Sequence, residues 1–72
     1  MKAIMIDNKI LSLENVKEVS FHYNGTATKQ GVYEYYITVV YMNGADSRSN
    51  AIPGKEKTKE WLNKIFEIIT AE

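Results

Sequence analysis

Residues 32–42 constrain what this chain can fold into more than any other stretch. They read Val-Tyr-Glu-Tyr-Tyr-Ile-Thr-Val-Val-Tyr-Met, with β-branched or aromatic side chains at nine of eleven positions. Such residues pack well on a pleated surface and are enriched in strands. The run is therefore expected to be the long central strand of a sheet. Its alternation sets Tyr33, Tyr35, Ile37, Val39 and Tyr41 on one face and Glu34, Tyr36, Thr38, Val40 and Met42 on the other.

The remainder of the chain reads as shorter strands around this one, then a helix. Residues 2–6 and 10–13 are short apolar segments separated by Asp7-Asn8-Lys9, residues that favour turns. Residues 16–23 alternate, with Val19, Phe21 and Tyr23 opposite Glu18, Ser20 and His22. Residues 24–31 lack apolar periodicity and carry a glycine near each end, so they are expected to be a polar connecting loop.

The parity of the last strand, residues 46–52, depends on the turn before it. A two-residue Asn43-Gly44 turn would put Asp46, Arg48 and Asn50 on the face of Ile37 and Val39. A three-residue loop, Met42-Asn43-Gly44, puts the small side chains of Ala45, Ser47, Ser49 and Ala51 there instead. Burying small neutral groups costs much less than burying unpaired charge, which favours the bulged loop with Gly44 in the left-handed position. The polar last strand reads as a protected edge.

Pro53-Gly54 ends the sheet, and residues 55–70 read as a helix. Thr58, Leu62, Ile65 and Ile69 form the centre of its apolar stripe, flanked by Trp61, Phe66 and Ile68. Lys55, Lys57 and Lys59 in the first turns oppose the helix dipole, and no Ser, Thr, Asp or Asn stands at the cap position. Packing must therefore hold the helix.

The expected fold is α+β: a four- to five-stranded antiparallel meander packed on one C-terminal helix, a single domain over residues 1–72. The helix should cover the face with Val19, Phe21, Tyr35, Ile37 and Val39. A chain of 72 residues buries only roughly 60% of its unfolded surface, so an efficient core or a partner is needed.

Composition narrows the functions. The hydrophobic share of 44% and charged share of 25% argue against disorder. Nine basic and nine acidic residues balance, which removes the long-range attraction typical of phosphate-backbone binders. No cysteine is present, which excludes disulfides, thiol nucleophiles and thiolate zinc sites, and fits a reducing compartment. Residues 1–6 are too short for a signal peptide, and no run is long enough to span a bilayer. A cytoplasmic location without membrane contact is expected.

His22 is the sole histidine, and no nucleophile-and-acid pattern surrounds it. The glycines make no phosphate-binding motif, and no calcium-loop spacing occurs. The expectation is a protein that is not an enzyme and needs no cofactor or metal. The informative surface is the sheet face away from the helix, with Tyr36, Thr38, Val40, Met42, His22 and Arg48, and with Ile10 and Met5 joining it. Its apolar content suits a contact with a protein partner or a second copy, a homodimer in the simplest case. Two other arrangements would bury that face: a sheet curled into a partial barrel, or an N-terminal hairpin folded over it. Single-stranded nucleic acid stacking on Tyr36 and His22 is the alternative function.

Residues 10–19 (Ile-Leu-Ser-Leu-Glu-Asn-Val-Lys-Glu-Val), Tyr35-Tyr36-Ile37-Thr38-Val39 with Asn43-Gly44, and Trp61-Leu62 together resemble small uncharacterised bacterial or phage-borne domains built as a β-meander plus C-terminal helix. The pattern is also similar to the later part of pleckstrin-homology-like folds. The resemblance implies a binding or scaffolding role.

Overall fold

A computed structural model describes residues 1–71. In chain order it contains β1 (Ala3–Ile6), β2 (Lys9–Ser12), β3 (Val16–Ala27), β4 (Tyr33–Tyr41), β5 (Asp46–Arg48), β6 (Ile52–Pro53) and α1 (Lys55–Thr70). The fold is α+β. β3, β4 and β5 form an antiparallel meander with β4 in the middle; β6 pairs with the other end of β4, and the sheet packs against α1.

β1 and β2 form a separate two-stranded sheet rather than joining the meander. Asp7 and Asn8 adopt positive φ of 52° and 70°, the geometry of a tight two-residue hairpin turn whose twist matches the strands. This hairpin lies on the same side of the meander as the helix. Its Ile4, Ile6, Leu11 and Leu13 are buried in one core with Ile37, Val39, Ile52 and Ile65. Each such side chain contributes about 1.5–3 kcal/mol by leaving water. Met5 and Ile10, paired on the hairpin's opposite side, therefore do not belong to the far face of the meander, contrary to expectation. The hairpin does not cover that far face either.

The hairpin also secures the helix. Lys2 Nζ donates to the carbonyls of Ile69 (2.9 Å) and Ala71 (2.8 Å). The last turn of α1 holds no basic residue of its own, so Lys2 supplies the cation that the dipole's negative end favours. At the other end Gly54 makes no side-chain cap, as the sequence leads one to expect.

The loop after β4 has three residues. Val40 pairs with Asp46, Val39 with Ser47 and Thr38 with Arg48. Gly44 has φ of 88°, and Tyr41 N–H donates to Ala45 O at 2.8 Å. This parity keeps Arg48 exposed while Ser49 is buried.

Three further expectations are corrected. β3 runs to Ala27 instead of ending at Tyr23, so residues 24–27 are strand and not loop. Gly25, at φ 83°, sits in a bulge between the Tyr23–Tyr35 and Ala27–Tyr33 pairs. There Asn24, Thr26 and Glu34 are linked by side-chain hydrogen bonds at 2.9 Å, which replace the missing apolar pattern. The last strand is broken into β5 and β6, because the pairing to β4 slips by one residue between Arg48 and Ile52. Ser49 bridges the slip: its N–H donates to Ile37 O (2.8 Å), and its hydroxyl accepts from Ile37 N–H (2.9 Å). Finally, Phe66 is 66% exposed rather than packed beneath the helix.

Candidate interaction surface

The register places His22 opposite Tyr36, and Thr38 between Ser20 and Arg48. With Val40, these residues share the sheet face away from the helix. They largely satisfy one another. The His22 and Tyr36 rings lie 5.4 Å apart and tilted by 35°. The Arg48 guanidinium carbon stands over Tyr36 at 5.5 Å from the ring centre. His22 and Arg48 come from the strands on opposite sides of β4, so Tyr36 is flanked from both sides. Thr38 is only 9% exposed. Met42 lies past the end of β4, exposed, beside Ile10 in a concavity at the hairpin end.

Chemically this face offers little leverage. Ser20 Oγ and His22 Nε2 are 3.0 Å apart, but among the described residues no carboxylate hydrogen-bonds the ring to orient it. The principal concavities lie elsewhere. A base stacking on Tyr36 would have to displace His22 or Arg48. Among the described residues no group of three His, Asp or Glu side chains could hold a metal ion, and no helix is long and apolar enough to cross a membrane.

A second surface went unread in the sequence: the outer edge of β3. Among the described residues β3 pairs with β4 alone, and its other edge carries no strand. The direction of its backbone groups follows from Ile37. Both Ile37 hydrogen bonds run to Ser49 on the β5 side. Phe21 sits directly opposite Ile37, so this is a pair whose N–H and C=O groups point away from each other. By alternation Val19, Phe21 and Tyr23 all direct their backbone donors and acceptors to the open edge.

The side chains of those three residues face the helix side, where a partly open apolar surface runs along β3. A groove of about 480 Å³ lies between β3 and α1, with Val16, Val19, Leu62, Phe66 and Ile69 among its walls. Further along, Phe21, Tyr35, Tyr23 and Tyr33 form a row of edge-on and tilted rings with centroids 5.7–6.1 Å apart. Tyr35 thus belongs to this row rather than to the buried core under the helix. Tyr23 and Tyr33 remain 54% and 61% exposed. No protein-family model matches the chain, and comparison with curated proteins and with solved structures finds no match.

The opposite edge of the sheet is different. β5 and β6 are short and offset by the Ser49 slip, and the Asn50 side chain is tied to Asp7 O of the N-terminal hairpin at 3.2 Å. Short, irregular, covered strands resist further pairing. One edge of this sheet is blunted and the other is open.

The signal for the open edge was partly present. The period of two in residues 16–23 identified a strand with one apolar face. That it stands at the border of the sheet depends on strand order, which alternation does not encode.

Proposed function

We propose that this chain is a small non-catalytic protein-interaction module that takes an extended polypeptide segment along β3. The observation that carries this reading is the coincidence of an open strand edge with apolar side chains on the same residues, Val19 and Phe21 partly buried and Tyr23 exposed. Strand addition obtains affinity from main-chain hydrogen bonds and specificity from alternate side chains in pockets. The groove beside Val19 and Phe66 is placed to receive such side chains. The far face, with His22, Tyr36, Thr38, Val40 and Arg48, forms the polar side of the same module. Its closed stack makes nucleic-acid binding the weaker alternative. The β-meander-plus-helix resemblance implies the same general role.

A neutral eight-residue peptide of alternating valine and threonine is a suitable probe. Titrated into isotopically labelled protein, it should move amide resonances of Val19, Phe21, Tyr23 and Leu62 while leaving Thr38 and Val40 nearly unchanged. Shifts confined to the far face, or no shift at millimolar peptide, would overturn the reading.

A further inference from the structure

We infer that the physiological occupant of the β3 edge is a second copy of this chain, paired antiparallel about a two-fold axis at Phe21. This rests on the proposed interaction role and names its partner. The argument begins with symmetry. A two-fold axis normal to the sheet brings the same segment against itself, and directly opposed residues must present side chains on one face. The axis therefore passes through a residue, not between residues.

The regular part of β3 is bounded on both sides. The pairing with β4 is irregular at Lys17 and again between Tyr23 and Ala27, and uninterrupted from Glu18 to Tyr23. Within that window the residues with outward backbone groups are Val19, Phe21 and Tyr23. An axis at Phe21 engages all of them: Phe21 meets Phe21, and Val19 meets Tyr23 at either end. This makes about six backbone hydrogen bonds. An axis at Ser20 would instead push Tyr23 against the irregular Lys17.

The side chains fit the same register. Tyr23 of one copy lies opposite Val19 of the other, at the mouth of the groove that Val19, Leu62 and Phe66 line. The exposed tyrosine and the partly open groove are thus two halves of one contact, present twice. On the far face Ser20 meets His22. At the ends of the paired segment the Glu18 carboxylate lies next to the Asn24 side-chain amide, a donor suited to it. No like charges are opposed, and the balanced charge of the chain adds no long-range repulsion. The result is one continuous sheet with both helices on the same side.

Because the chain has no cysteine, single thiols report the register directly. In this arrangement Ser20 and His22 of different copies form a pair without mutual backbone hydrogen bonds, close enough for a disulfide. An equimolar mixture of Ser20→Cys and His22→Cys proteins, oxidised with oxidised glutathione, should give mixed dimer as the dominant product over either homodimer, because only the Ser20–His22 pair falls within disulfide reach. Sedimentation of the unmodified protein at millimolar concentration should give the mass of two chains. Ser20→Cys cross-linking to itself as readily would overturn the axis at Phe21. A strict monomer without cross-links would overturn the second copy as occupant. In that event the valine–threonine peptide still decides separately whether the edge binds an extended segment at all.

Discussion

Replacing Ile37 with Ala should lower the unfolding free energy by roughly 2–5 kcal/mol. Ile37 has no exposed surface and lies in the middle of β4, the strand that holds β3 on one side and β5 and β6 on the other. Its side chain belongs to the core that joins the helix, the N-terminal hairpin and the meander. No other layer can collapse into the space left behind without pulling one of these three away from the others. Small domains hold only about 5–15 kcal/mol in total, and this one is at the small end. Urea unfolding followed by tryptophan fluorescence should show a midpoint far below that of the parent, with Trp61 as the probe. A change of less than about 1 kcal/mol would mean that Ile37 is not at the centre of the core.

Ser49→Ala should be the second large effect, at roughly 1–3 kcal/mol. The substitution removes one oxygen from a buried position, yet that oxygen accepts the Ile37 N–H at 2.9 Å and donates to Asn50 O at 2.9 Å. Without it a main-chain donor in the interior loses its partner at the point where pairing slips. The expected readout is a loss of stability with faster amide exchange at Ile37. Ser49→Thr keeps the hydroxyl and should retain the Ile37 protection. An alanine variant as stable as the parent would show that water or a shifted carbonyl takes over the bond.

These two residues illustrate what could and could not be read from the chain. Ile37 was legible, because alternation in residues 32–42 assigns it to the apolar face. The burial of Ser49 was legible too, through the preference for small neutral side chains over Asp46 and Arg48 on that face. Its role as the bridge across a register slip was not. A slip is a three-dimensional relation between two stretches of β4 and its neighbour, and a run of Ser, Arg, Ser and Asn carries no sign of it.

The helix was legible over its full length, since the 3.6-residue spacing of Thr58, Leu62, Ile65 and Ile69 is unambiguous. Its exposed Phe66 was not, because a wheel gives direction without saying where the sheet ends. The extension of β3 was hidden by Asn24-Gly25-Thr26, which reads as loop chemistry. A glycine bulge and polar side-chain bonds keep it extended.

The candidate surface divides in the same way. Alternation grouped His22, Tyr36 and Thr38 on one side, and the bulged turn added Arg48. It could not show that they stack on one another, nor that β3 stands at the border. Val19 and Phe21, expected beneath the helix, do pack against the core, and they also line the open edge of β3.

Amide hydrogen exchange on the unmodified protein, measured across a dilution series, tests the central claim most directly. The account predicts fast exchange at Val19, Phe21 and Tyr23 in dilute solution and strong protection of these three amides at high concentration. Ser20 and His22, whose amides face β4, should be protected throughout. Exchange at Val19, Phe21 and Tyr23 that stays fast at every concentration, or protection that is already complete at the lowest, would contradict it.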